Sequence, residues 1–444
     1  MPPQEAAPRF IGLDLHTRMG VACMIDDRGR VLERHRLGCT RPALEAFARA
    51  HLRRGDRVVV EATTNTWEVV AILKPFVMEV VVSNPLQTKV IAAAKIKTDK
   101  IDALVLAQLL RCDFLPRVWE PNAPTQRLRR LTGRRASLVM DATTIKNRIH
   151  ALLHQRLLEA PVKNLFCKAG RAWLKTLCLD PAGQAMLESD LRLLAAVEEE
   201  SAQQDTVLAQ NGHTDPQVKL LLTLPGVDLV VAQTLLATLG EVSRFRDGAH
   251  AASYLGLVPT TRQSASGCYH GRITKQGNGH ARAMMVQAAQ RVGSHPGPLG
   301  AFFRRLMRRK NRNVAIVATA RKLVGIAWQL LVHNEPYRYA QPSATQTKFA
   351  RLRLKATGKK LKCGVVSGSV RPASFGSGLR TKPLPSLPQV LRSAGVPPAL
   401  SLAQLPPGEL RMLRQTFSLT FVKQIQRSQR CVTRARGGAK AKNP

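Results

Sequence analysis

A carboxylate in the middle of an apolar strand limits what this chain can become. Phe10-Ile-Gly-Leu-Asp-Leu-His reads as a strand with Ile11, Leu13 and Leu15 on one face and Gly12, Asp14 and His16 on the other. Burying the Asp14 charge is costly unless a cation or a hydrogen-bond donor meets it. The following residues read as a scaffold that brings such partners. Strand-like runs at 20–25 and 29–34, with turns at 18–20 and 26–29, complete a three-stranded meander. Residues 41–52 are helical, with Leu44, Phe47, Ala48 and Leu52 on one side. Arg57-Val-Val-Val-Glu61 is a continuous apolar run ending in an acid, as in a central strand, although a solvated strand end suits Glu61 equally. A short helix from Trp67 to Leu73, a strand from Met78 to Val82 and a helix from Thr98 follow.

In that last helix, Ile101, Leu104, Leu106 and Leu109/Leu110 recur at helical spacing, while Asp99 and Asp102 stand three apart on one face at its entrance. Two carboxylates so placed can hold a divalent metal; they also suit an N-cap and a first turn favoured by the helix dipole. Three strands, helix, strand, helix, strand, helix is the order of the ribonuclease-H-like fold. There the first strand, the fourth strand and the last helix bring their acids together, a placement matched by Asp14, Glu61, Asp99 and Asp102. Four converging carboxylates require cations, and two magnesium ions roughly 4 Å apart would relieve the repulsion and activate an oxygen for attack on phosphate. Lys97 and Lys100 flank the acids and suit either a DNA backbone or a solvated helix face.

Charge narrows the partners. With 68 Lys+Arg against 29 Asp+Glu, the formal net charge is +39, far beyond what solubility needs, and a polyanion such as nucleic acid is the natural counterpart. No membrane partner is expected, because no apolar run approaches a bilayer span and the N-terminus lacks a signal-peptide core; a cytoplasmic location is expected. The eight cysteines form no C-x-x-C pair, so neither a zinc ribbon nor a disulfide framework is suggested.

At 444 residues the chain needs more than one core. Four parts are expected: residues 9–115 as the nuclease-fold domain, 116–212 as a coiled-coil arm, 213–340 as a mainly helical C-terminal domain, and 341–444 as a basic, disordered tail. The arm reading rests on Leu128, Leu131, Leu138, Ala142, Ile145, Ile149 and Leu152, with Arg135 filling one slot, and on Leu187, Leu191, Leu194, Ser201 and Leu208. These two segments suit pairing within one chain or between chains. Leu224-Pro-Gly226-Val between helical runs resembles the corner of a helix-hairpin-helix module, which would offer backbone N–H groups such as that of Gly226 to phosphate, or is an ordinary helix–helix corner. A Gly- and Ser-rich loop then carries Arg262, Ser264, Ser266, Arg272 and Lys275. A serine amid arginines can bind phosphate passively or attack it if deprotonated. The tail reading rests on the lack of any acid between Glu335 and Glu409 and on the Lys/Arg- and Pro/Gly/Ser-rich composition.

Taken together, Ile-Gly-Leu-Asp14, Val-Glu61-Ala-Thr, Lys-Thr-Asp99-Lys-Ile-Asp102-Ala, Lys146-Asn-Arg-Ile-His-Ala-Leu-Leu, Leu224-Pro-Gly-Val, and Gly256-Leu-Val-Pro followed by Arg262-Gln-Ser264 and Gly271-Arg-Ile-Thr-Lys resemble the DEDD insertion-sequence transposases of family one-ten. The likeness runs from about Arg9 to about Arg338. It implies a RuvC-like domain whose metal-binding acids are Asp14, Glu61, Asp99 and Asp102, and a C-terminal domain whose serine nucleophile is Ser264. A one-step shift of the loop would favour Ser266 instead, since Gln263-Ser-Ala-Ser-Gly267 departs from the family's usual serine loop. The resemblance further implies Mg2+, DNA partners at element ends and target, a structured guide RNA from the element itself, a covalent phosphoserine, and a homo-oligomer, dimer or tetramer, with composite active sites. Two competing readings are a RuvC-like, metal-dependent DNA junction nuclease and a non-catalytic nucleic-acid-binding protein whose acids are structural.

Overall fold

The computed structural model describes residues 7–91, 98–264, 267–359 and 379–434. The chain divides into two compact units, Met1–Pro121 and Asn122–Pro444.

The first unit is built on a mixed sheet. Its elements are β1 (Phe10–Leu15), β2 (Met19–Ile25), β3 (Val31–Gly38), α1 (Arg41–His51), β4 (Arg57–Glu61), α2 (Thr66–Leu73), β5 (Glu79–Ser83), α3 (Pro85–Ile91) and α4 (Asp99–Arg111). Sheet order is β3-β2-β1-β4-β5. The β1–β2 and β2–β3 pairs are antiparallel, and β1–β4 and β4–β5 are parallel. Strand alternation sorts the side chains. Ile11, Leu13, Val58 and Val60 point into a core shared with Leu44, Phe47 and Ala48 of α1 and with Val69, Val70 and Leu73 of α2. Phe10, Val59 and Val81 point the other way, onto Ala103, Leu106, Ala107 and Leu110 of α4. Gly12 allows that second packing, because a Cβ there would run into the Ala103 carbonyl oxygen and stand 2.7 Å from the Ala107 nitrogen. Asp14, two residues on from Gly12, therefore emerges on the α4 side.

The second unit opens with α5 (Ala123–Gln155), followed by α6 (Lys168–Leu174) and α7 (Pro181–His213). The two 33-residue helices α5 and α7 pack along each other within this one chain. Ile145, Ile149 and Leu152 of α5 bury against Leu187 and Leu194 of α7 and Leu174 of α6. Arg135, in the apolar row of α5, pairs with Asp205 of α7, with Nε 3.2 Å from the carboxylate.

Next come α8 (Pro216–Leu222), α9 (Leu229–Leu239), α10 (Gly248–Tyr254), the hairpin β6 (Pro259–Ser264) and β7 (Gly267–Ile273), α11 (Gly279–Gln290), α12 (Pro298–Met307) and α13 (Arg312–His333). By length and composition α13 is apolar enough to cross a membrane, which corrects the expectation that no apolar run approaches a bilayer span. Its Ile316, Ala320, Leu323, Val324 and Ala327 are buried in the core of this unit, which explains the composition.

The expected disordered tail is corrected by its described residues. They form α14 (Pro342–Thr357), β8 (Leu379–Leu384), α15 (Leu387–Ser393), α16 (Pro407–Gln415), α17 (Leu419–Ile425) and β9 (Gln429–Arg434), with β8 and β9 paired antiparallel. Leu352, Leu387, Leu391, Leu413, Val422 and Ile425 join the same core as α9, α11 and α13. Lys348 of α14 donates from Nζ to the carbonyls of Leu222 (2.9 Å) and Leu224 (2.5 Å), satisfying acceptors at the end of α8. Apolar side chains spaced along these short helices are buried by a core laid down much earlier in the chain, and this outweighs the basic composition.

Candidate metal centre and serine hairpin

Asp14 and Glu61 reach the same place by register. Leu13 pairs with Val60 across the parallel β1–β4 ladder, so Asp14 and Glu61 each lie one residue further along adjacent strands, on the face that α4 covers. The α4 helix starts there because Thr98 caps it: its hydroxyl oxygen accepts from the Ile101 N–H (3.4 Å) and its carbonyl from the Asp102 N–H (2.9 Å). Asp99 is then the first helical residue and Asp102 lies in the same first turn, where the helix dipole favours negative charge.

His16 joins two of these acids. Its Nε2 lies 3.5 Å from Asp14 Oδ2 and 3.3 Å from Asp99 Oδ1. The three residues offer ligand atoms all within 4.8 Å of one another. The Asp14 carboxylate is only 13% exposed, whereas Asp99 and His16 are open to solvent at 60% and 59%. A shielded anionic oxygen beside a solvent-facing carboxylate fits a hard divalent cation that keeps part of its water. Glu61 and Asp102 are half-buried beside this group. Sequence reasoning put His16 on the Asp14 face without giving it a role; the i, i+2 spacing was the available signal. Lys97 lies outside the described residues, and Lys100 is exposed.

The serine loop is a two-stranded hairpin. Ser264 closes β6 opposite Gly267, and Arg262 pairs with Tyr269. Directly opposed residues share a face, so Ser264, Arg262 and Tyr269 stand on one side of the ribbon, all exposed. The other side holds Thr261, whose hydroxyl is 3.1 Å from His270 Nδ1. Arg272 lies near the end of β7, exposed. Lys275 follows it with φ 54°, its N–H donating to the Gly256 carbonyl at 3.2 Å. Ser266 lies outside the described residues.

Gly226 sits differently from the expectation of an open phosphate-binding corner. Its φ of 77° suits glycine, and a Cβ would strike the Ala288 carbonyl of α11. The start of α9 is capped by the Asp228 carboxylate, which accepts from the Val231 N–H at 2.9 Å. A negative cap opposes an anion there.

A cavity of about 880 Å³ also opens in the second unit. Arg304, Arg305, Arg308 and Lys322 line it together with Phe302 and Tyr339. Arg305 and Lys322 each lie 5.7 Å from the Phe302 ring centroid. Cations over an aromatic platform suit a stacked base and its phosphate.

Two family profiles match the chain. One, described as transposase and built on DEDD transposases of the IS110 type, covers residues 11–157, and the other, described as transposase IS116/IS110/IS902 family, covers 218–304. Among similar proteins, y4qE of Sinorhizobium fredii is 28% identical over 266 residues, 53% of this chain and 65% of that protein. The insertion element IS116 protein of Streptomyces clavuligerus is 25% identical over 305 residues, 56% of this chain and 75% of its own length. The pilin gene-inverting protein of Moraxella bovis is 25% identical over 297 residues, 63% of this chain and 81% of its length. The chain thus spans a little under two thirds of the first of these relatives. With the two profiles together matching more than half of its residues, the chain belongs to the IS116/IS110/IS902 family of transposases.

Proposed function

We propose that this protein cleaves and rejoins DNA to move its own insertion sequence, using a ribonuclease-H-like metal site and a serine nucleophile. The observation that carries the reading is the approach of Asp14, His16 and Asp99, with Glu61 on the neighbouring strand. Asp14, Glu61, Asp99 and Asp102 would hold Mg2+, in two ions. Bound there, the metal supplies charge neutralisation at phosphate and an activated oxygen. His16 orients Asp14 and Asp99 from the strand end. Ser264 is the group that attacks phosphorus, its hydroxyl proton passing to a base and the displaced strand leaving as an alcohol, so that DNA is held as a phosphoserine ester. Arg262, on the same face of the hairpin, would neutralise the phosphate; the exposed Arg272 and Lys275 would add positive charge nearby in the chain. A structured guide RNA and a dimer or tetramer with composite active sites follow from the family reading, and a charge of +39 suits such a load.

A suicide DNA substrate resolved on a denaturing gel tests this. A covalent protein–DNA adduct formed with Mg2+, lost in Ser264→Ala and in Asp14→Ala, is the expected result. An adduct retained in Ser264→Ala would move the nucleophile to Ser266. Free cut ends without an adduct would instead identify a metal-dependent junction nuclease, and neither cutting nor adduct a non-catalytic binding protein.

A further inference from the structure

The sheet face opposite Asp14 carries a second group of metal-type ligands, which the proposed DNA chemistry does not use. β3 is the edge strand, and its Glu33 and His35 stand two apart on the side where Leu37 packs into the α1 and α2 core. His51, the last residue of α1, meets them there. The His35 and His51 ring centroids are 3.9 Å apart, and His35 Nε2 is 2.8 Å from Glu33 Oε2. One oxygen and two ring nitrogens all lie within 4.8 Å of one another. Phe47, one turn before His51, stacks at 5.3 Å on His51 and meets His35 edge-on at 6.0 Å, forming an apolar wall.

The backbone beneath this group is held firmly. The His51 carbonyl accepts from Arg9 Nη2 at 2.8 Å, and Arg9 forms a two-point ion pair with Asp56 at 2.9 and 2.7 Å, both side chains being buried. The two imidazoles and the Glu33 carboxylate thus present three donor atoms to one point.

We propose that Glu33, His35 and His51 bind one Zn2+-class dication that fastens edge strand β3 to the end of α1. Two imidazoles and one carboxylate form a donor set that zinc accepts at about 2.0–2.2 Å, with the fourth position left to water. Nitrogen donors select a strongly coordinating transition metal over Mg2+, whose preference is for oxygen. Glu33 is 47% and His35 25% exposed, so an ion can reach both from solvent. The clip would also stiffen an exposed sheet edge.

The test uses the full-length protein, stripped with a chelator, in an Asp14→Ala, His16→Ala background that silences the other cluster. Co2+ is followed by visible d–d absorption and Zn2+ by competition and by the rise in Tm. One equivalent is expected to bind, without the near-ultraviolet charge-transfer band of a thiolate site. Affinity should fall at least about tenfold in His51→Ala and His35→Ala. Glu33→Gln, a change at a solvent-facing side chain, should weaken binding in the same direction with an unchanged circular dichroism spectrum, which separates loss of a ligand from loss of fold. Absence of stoichiometric binding in the background protein, or affinity unchanged by all three substitutions, overturns the proposal.

Discussion

Gly12 of β1 lies directly under the Ala103 carbonyl of α4, so close that no side chain fits between them. This contact sets how near the first turn of α4 comes to Asp14. Gly12→Val should force helix and strand apart, cost about 1–3 kcal/mol by denaturant unfolding, and weaken divalent-cation binding at Asp14. Wild-type stability in that variant would show that the helix can slide without consequence.

His16 bridges Asp14 and Asp99 and so orients both carboxylates. His16→Ala is expected to lower Mg2+ affinity by about 10–100-fold, the range typical of groups that orient metal ligands. Isothermal titration with Mg2+ reads this directly. Excess Mg2+ should restore DNA cleavage in His16→Ala but not in Asp14→Ala.

Arg305 and Lys322 flank Phe302 in the basic cavity of the second unit. If they meet phosphates, Arg305→Ala and Lys322→Ala should each weaken nucleic-acid binding and reduce the slope of log K against log salt by about one. Fluorescence anisotropy across a salt series measures both quantities. An unchanged slope would remove the cavity from the nucleic-acid path.

His295 is buried, its Nδ1 accepts from the Gly297 N–H at 3.1 Å, and its Nε2 has no partner among the described residues. Burial, and then the charges of Lys348 and Arg304, bring its pKa down to about 4. The folded pKa is below the unfolded one, so between pH 6.5 and about 4 the unfolded chain binds the extra proton. Stability from this group is complete above about pH 6.5 and is lost as pH falls toward 4, by on the order of 3 kcal/mol. Urea unfolding across that range should show the slope, and His295→Gln should flatten it.

Leu391 of α15 is fully buried in the core of the second unit. Leu391→Ala should cost about 2–5 kcal/mol in chemical unfolding, as for any large core side chain. A change near zero would mean that the segment beyond residue 341 folds on its own account and not on the domain before it.

How much could be read in advance follows from the range of the forces involved. The alternation of Ile11 and Leu13 against Gly12 and Asp14 is local, so it identified the strand and the face of the acid correctly, and Thr98 before Asp99 marked the start of α4. His16 was visible on that face, but its meeting with Asp99 depends on how deeply α4 settles, which Gly12 decides. The Glu33, His35 and His51 group joins a strand to the far end of a helix, and no spacing rule links such positions. The region after residue 341 was misread because its lysines, prolines and glycines dominate composition, while Leu387, Leu391, Leu413 and Val422 find partners far back in the chain. The Leu-Pro-Gly pattern marked the corner at Gly226 but could not reveal that Ala288 packs on it.

The grip of Lys348 on the Leu222 and Leu224 carbonyls makes α14 an internal strut instead of an appendage. A version trimmed near residue 341 would leave those oxygens without their ammonium and a slab of leucines facing water. Shortening this protein is therefore core surgery, and its clean redesign boundaries lie elsewhere.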